Sequence, residues 1–553
     1  MTGSGDQTPK TNNYGRPATL KSLGHDIAII HSMSMSSKPI SIMDKNELVN
    51  RLSSIDSEIG SDSSSSTSSG STTPTPTTNS LVRGPSSAKD NGTDVKHDVG
   101  ADVKDDDEDS ESDDDSTSYA GSTSSSTYRF RQESFDTFKE KVSQLCKDIG
   151  YGEPTSIERM CGGSYHRVIG LHFASRAQQD FVLRIPREPR DNTHETSDEI
   201  SIMIFASQLK FLRAPIVCAY DCTTNNAIGC QYVLQERLPG KPLEDVYYEL
   251  SLAEKLQITN LVAELVANLE TVVFDRPGRL IGNRSIPEVS SVPPANESTI
   301  SITGFRDTPL ELEIDLPVLE RQHLDKLFHQ IFQLRRNLDD YQKTEFMSKH
   351  YDTLERIARE MHLAGLTRKS DIDNVLWLWD MSAGNILIRP VPGSEQSQIP
   401  TWEISGVLDW DEAKSVPLVL SRKPPAWLWV SDEDREFSCE RDRDRKLGRD
   451  MTDDELLIKA RFDQEMMKRS PSYVQDTYGR GLWLRRMSRF AINGWVQGEC
   501  FHRLDKLSEE WAEYYDSLEK VGVCSAKASL YESDGESSEE SDDSSQCGSD
   551  GEK

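Results

Sequence analysis

The apolar stretch Val375-Leu376-Trp377-Leu378-Trp379 ends on Asp380, and a second apolar run opens five residues later at Asn385-Ile386-Leu387-Ile388. A third run, 403–408, ends on Asp409-Trp410-Asp411. The runs at 385–389 and 403–408 read as two strands, joined by a Pro/Gly/Ser loop over 390–401. A hairpin of this kind brings Asn385 and Asp409 together, and its long loop is tolerated because closure entropy grows slowly with length. The chain must therefore fold so that two acids and an amide converge where strands end.

At 553 residues the chain exceeds what one hydrophobic core usually serves. Composition assigns the surplus to tails. Residues 1–128 are dominated by Ser, Thr, Asp, Gly and Pro with a net charge of −10, and 525–553 carry −7. Such segments bury too little apolar area to offset their ordering entropy, so both are expected to be disordered. Within the first, 44–53 carries Leu48, Val49 and Leu52 at helical spacing, which suits a transient helix or a short docking helix. Serines before acidic runs, at 110–115 and 537–543, suit phosphorylation by an acid-directed kinase.

The remaining 129–524 holds a net −13 with no basic stripe, which argues against nucleic-acid binding. No apolar run approaches the ~18 residues that a membrane helix needs, and the chain opens on no targeting segment. The nine cysteines show no paired metal-ligand spacing and read as reduced thiols. A soluble protein of the cytoplasm or nucleus is expected.

Phe135, Phe138, Val142 and Leu145 predict a leading helix. A β-meander follows, with strands on either side of the Gly162-Gly163 turn and a third at 181–185. Adjacent glycines leave backbone N–H groups able to meet phosphate oxygens, although an ordinary hairpin turn needs glycine equally. Arg184 on the third strand is placed to meet nucleotide phosphates, with Glu199 on a helix over 197–212 as its ion-pair partner and Glu195 as the alternative. The run 231–240 reads as a strand and turn. From Leu252 the pattern is mostly helical, interrupted by a Pro/Ser/Thr-rich insertion over 283–317 that is expected to be irregular. The aromatic segment 424–429 reads as a buried anchor, 432–454 as a charged surface segment, and 456–518 as closing helices.

An Asp, an Asn five positions later and a second Asp after another apolar run form the layout of a kinase-type phosphoryl-transfer loop. Asp380 is the candidate base that orients an acceptor hydroxyl, and Asn385 and Asp409 offer oxygen ligands to Mg²⁺. The alternative is that Asp380 and Asn385 only cap and turn a loop.

Taken with Tyr165-His166-Arg167-Val168-Ile169-Gly170-Leu171, Val182-Leu183-Arg184-Ile185-Pro186 and Val233-Leu234-Gln235-Glu236-Arg237-Leu238-Pro239-Gly240, these motifs resemble the aminoglycoside-phosphotransferase-like branch of the kinase fold, especially its fungal members. The resemblance covers roughly 150–520. It implies an α+β, two-lobed protein-kinase-like fold: a β-rich N-lobe over 129–238 and a mostly helical C-lobe over 239–524. It further implies ATP and Mg²⁺ as cofactors, phosphoryl transfer to the hydroxyl of a small molecule, Gly162 and Gly163 over the phosphates, and Gln235, Glu236 and Arg237 lining an adenine pocket. The family usually has His two residues before the Asp, where this chain has Leu378. That departure supports a second reading, a catalytically inactive kinase-fold module whose acidic tails meet protein partners.

Overall fold

The computed structural model describes residues 51–52, 132–160, 162–163, 165–174, 179–188, 193–282, 286–291, 300–307, 314–338, 345–394, 399–430, 451–495 and 499–520. Apart from residues 51–52, both expected tails with their serine clusters, and most of 432–454, lie outside the described residues.

The leading helix α1 (Phe135–Asp148) starts at Ser134, whose hydroxyl accepts from the Thr137 N–H. Its apolar stripe of Phe138, Val142 and Leu145 is buried against an antiparallel sheet. That sheet contains β1 (Ser156–Arg159), β2 (His166–His172), β3 (Phe181–Pro186), β4 (Val217–Asp221) and β5 (Tyr232–Glu236) in the order β1-β2-β3-β5-β4, with 289–290 at the edge. The period of two is visible in β5, where Tyr232 and Leu234 join the core beneath α1 and Val233 joins the opposite core. On that second face lies α2 (Thr193–Gln208), which buries Ile200, Met203 and Ile204.

The rest of the body is built on α3 (Leu252–Glu270), which begins with a capping box between Ser251 and Glu254. Beside it stand a five-stranded and a three-stranded sheet. The first includes β6 (Gly278–Gly282), β7 (Asn374–Trp377) and β10 (Lys414–Pro417); the second pairs β8 (Ile386–Pro390) with β9 (Trp402–Val407). A separate helical layer contains α4 (Leu324–Arg336), α5 (Glu345–Leu363), α7 (Arg480–Asn493) and α8 (Glu499–Lys520), while α6 (Asp453–Arg469) packs on α3. This is the two-lobed, kinase-like α+β architecture, with a β-rich first part and a mainly helical second.

The expected irregular insertion is partly regular. Ile300–Thr303 pairs antiparallel with β6, and 306–307 pairs with 314–315. Pro and Ser in the sequence mask these strands, because an edge strand borrows its order from the partner it pairs with. Arg51 and Leu52 are helical; Leu52 is buried in the core around α3, and Arg51 reaches Asp453 at 3.1 Å. The other residues of the expected 44–53 helix lie outside the described residues.

β7 divides two cores. Leu376, and Leu378 just past the strand, belong to the core around α3, whereas Trp377 packs against the helical layer. A buried ion network ties these layers together: Arg422 pairs with Glu270 at 2.8 Å and with Asp476 at 2.5 Å, and Asp476 in turn meets Arg480 at 2.7 Å.

Candidate active site

The hairpin forms with Ile386 opposite Val407, and the Leu408 N–H donates to the Asn385 carbonyl at 2.8 Å. The mouths of β8 and β9 therefore hold Asn385 beside the segment that carries Asp409. Asn385 also closes the loop on itself: its Nδ2 donates to the Asp380 carbonyl at 2.9 Å and lies 3.4 Å from the Asp380 carboxylate. With the nitrogen so used, the Asn385 Oδ1 is the atom suited to a hard cation.

Leu378, where the family usually has His, is 3 % exposed and packed in the core around α3. The loop after it is held in other ways. Trp427 Nε1 donates to the Met381 carbonyl at 3.0 Å, fixing the residue next to Asp380. Gly384 allows the Glu244 carboxylate to approach so closely that a Cβ there would lie 2.8 Å from its oxygens. Burial, then Asp245 and Asp380, lift the Glu244 carboxyl above its ordinary range. Asp380 itself is exposed.

Asp409 adopts φ 63°, a left-handed conformation unusual for a residue with a side chain, while the next residue, Trp410, is buried and anchored by its Nε1 to the Val407 carbonyl at 2.8 Å. Such strain costs about 1–2 kcal/mol and persists where surrounding structure fixes it. The Asp409 side chain is 46 % exposed, yet the surrounding protein still raises its carboxyl. Desolvation leads, Asp411 and Asp380 add to it, and Arg184 and His166 oppose it. Carboxylates gathered with insufficient positive charge form a donor set that a divalent cation relieves.

Arg184 faces this cluster from β3. Its bidentate partner is Asp411, at 2.7 and 3.3 Å, with Asp409 at 3.7 Å. This corrects the expected pairing: Glu199 instead stands 3.7 Å from His166 Nε2 and adds a weaker attraction to the Arg184 charge. Burial works against that charge, but Asp411, Asp409 and Glu199 outweigh it and hold the guanidinium above its ordinary value. The alternative partner, Glu195, lies 3.8 Å from Arg306. His166 Nδ1 lies 3.2 Å from Arg184, so His166, Glu199 and Asp411 surround one guanidinium. His166 and Asp411 were not singled out from sequence: Asp411 lies past the end of β9, beyond the left-handed turn at Asp409, where strand alternation no longer tells which way a side chain faces.

The glycine turn is tight at Gly162, where a Cβ would lie 2.4 Å from the His166 carbonyl, and open at Gly163. Arg187 holds the turn by donating to the Gly163 carbonyl at 2.8 Å. At the end of β5, Gln235 is buried, and the N–H groups of Glu236 and Arg237 already donate to Ile216 and Asp180. The Arg237 side chain turns to Glu158 at 2.7 Å. Neither of those two N–H groups is therefore available to a base, which narrows the expected adenine contacts of this segment.

Residues 171–419 match the model of the phosphotransferase enzyme family. The resemblance carried by the motifs is borne out. Two curated relatives, both subtelomeric hrmA-associated cluster proteins from strains of Aspergillus fumigatus, are 24 % identical over 152 residues, which is 27 % of this chain and 30 % of theirs. The match thus spans under a third of those relatives' length. Among solved structures, a thermostable mutant of aminoglycoside phosphotransferase APH(4)-Ia, in ternary complex with AMP-PNP and hygromycin B, is 12 % identical and overlaps 68 % of this chain and 98 % of its own, with a TM-score of 0.37. Choline kinase from Cryptosporidium parvum is 11 % identical over 71 % and 99 % respectively, with a TM-score of 0.34.

Proposed function

We propose that this chain is an ATP-dependent phosphotransferase acting on a hydroxyl of a small molecule. The observation that carries this reading is the convergence of Asp380, Asn385 and Asp409 at the mouth of one hairpin, opposite Arg184. Asp380 takes the proton of the acceptor hydroxyl as its oxygen attacks the γ-phosphorus. The bond from that phosphorus to the bridging oxygen breaks, and ADP leaves with the electron pair. Asn385 and Asp409 would hold Mg²⁺, which when bound would neutralise charge on the phosphate oxygens. Arg184, its fork held by Asp411 and His166, lends its positive charge to the side of the site where those oxygens lie. The glycine turn covers the phosphates.

Most of such catalysis is positioning and charge neutralisation, with a general base adding 10²–10⁴-fold. ATP turnover with Mg²⁺ over a panel of hydroxylated metabolites tests the reading. Asp380→Asn is expected to lower kcat by about 10³-fold at unchanged nucleotide binding, and Asp409→Asn to abolish Mg²⁺ dependence. Unchanged turnover in both variants overturns the assignment. Leu378 motivates a second reading, an inactive module; nucleotide-dependent thermal stabilisation without turnover of any acceptor would favour it.

A further inference from the structure

A guanidinium has N–H donors and no acceptor, and its two terminal nitrogens carry four of those protons. On Arg184 the terminal nitrogens make four contacts. One nitrogen donates to Asp411 Oδ1 at 3.3 Å and meets the Met203 sulfur at 3.7 Å. The other donates to Asp411 Oδ2 at 2.7 Å and lies 3.2 Å from His166 Nδ1. The fork is therefore filled from within the protein.

These acceptors are not alike. Met203 and His166 Nδ1 each meet one nitrogen from the flank, and a thioether is a weak acceptor. Asp411 spans both nitrogens with an anion, which is the two-pronged way in which a phosphate also engages a guanidinium. The pair is largely enclosed, with the Arg184 and Asp411 side chains 13 % and 12 % exposed. Asp411 is also fixed from behind. The preceding residue, Trp410, is buried and tied to the Val407 carbonyl, so Asp411 follows an anchored backbone and not a loose loop. Phosphate oxygens that bond this fork in the same two-pronged way must displace the carboxylate.

We propose that Asp411 stands where a nucleotide phosphate engages Arg184, so that carboxylate and phosphate compete for one fork and Asp411 sets the affinity for the polyphosphate chain. Asp411 is a positioning residue in this account, acting through Arg184. The inference rests on the reading that a nucleotide binds beside Asp380 and Asp409.

The test is calorimetric titration of the full chain in EDTA with ATP, inorganic tripolyphosphate and adenosine, so that metal binding plays no part. Asp411→Asn is expected to tighten ATP and tripolyphosphate binding by about tenfold, because a charged two-pronged competitor becomes a neutral one. Adenosine binding is expected to stay constant, which a general loosening of the structure would not allow. With Arg184→Met already in place, Asp411→Asn is expected to change ATP affinity by under about twofold, since the effect runs through the fork. Equal tightening with and without Arg184 would show plain repulsion between carboxylate and phosphate, and weaker ATP binding in Asp411→Asn would show that Asp411 orients the fork for phosphate. Either result overturns the proposal. Unchanged ATP affinity also overturns it while leaving the phosphotransferase reading in place, whereas failure of both parent and variant to bind ATP or tripolyphosphate removes both. Should Asp411→Asn fail to fold, the same titrations with Asp411→Ser decide.

Discussion

Residues 377–381 take part in two places where like charges gather, and the two are resolved differently. Around Asp380 the acids are Asp409, Asp411 and Glu244, and one guanidinium, Arg184, is drawn in from β3 to meet them. Around Trp377 and Trp379 the gathered groups are cations, and Glu510 meets Arg486 from the side. The acidic one raises the Asp409 carboxyl by desolvation and by its neighbours Asp411 and Asp380, whereas on the basic side Arg485 is taken up by the carbonyls of Arg422 and Thr477.

The largest effect that would break this comparison is expected at Asp411. Replacing it by Ala leaves Arg184, whose side chain is 13 % exposed, without its bidentate partner. Urea unfolding should show a loss of about 2 kcal/mol, partly recovered by adding Arg184→Met, because the uncompensated charge is what costs. Next comes Trp427→Phe, which deletes the donor to Met381 and should cost roughly 1 kcal/mol by the same measurement. On the basic side, Glu510→Gln removes one partner of Arg486 and should destabilise by about 0.5 kcal/mol by the same measurement.

The smallest effect sharpens the acidic side through pH. Asp409 has a folded-state value raised above its ordinary one, so the folded protein holds this proton more tightly than the unfolded chain does. Its ionisation therefore costs stability at neutral pH, a cost that vanishes once pH falls below the ordinary value of about 3.9. In metal-free protein Asp409→Asn should raise Tm by about 1–2 °C at pH 7 and by nothing in strong acid. A fall in Tm at pH 7 would show that Asp409 is held by attraction rather than strained by repulsion.

Which parts of this were legible in sequence follows from how far each contact reaches. The β8–β9 hairpin and the junction of Asn385 with the Asp409 segment come from local apolar alternation. The helices over 135–148, 252–270 and 324–336 come from helical spacing, and the observed α2 begins four residues before its expected start. The partner of Arg184 was misread because Asp411 stands 227 positions away and only the packing of β3 over the hairpin brings them together. Trp379, Lys423, Arg489 and Arg503 likewise form a cavity only once α7 and α8 pack beside β7. Nothing in their spacing shows that they meet.

The buried position of Leu52 bears on where the folded body begins. By composition it starts near 129, and a fragment trimmed there would retain the hairpin, the glycine turn and the whole cationic cavity. It would also delete a leucine that is 6 % exposed among the side chains around α3, together with the Arg51 contact to Asp453. Burying such a side chain is worth about 1.5–3 kcal/mol. A fragment chosen by composition alone would therefore carry a bare apolar patch on its flank and tend to self-associate, and the sounder starting point for expression lies upstream of residue 51.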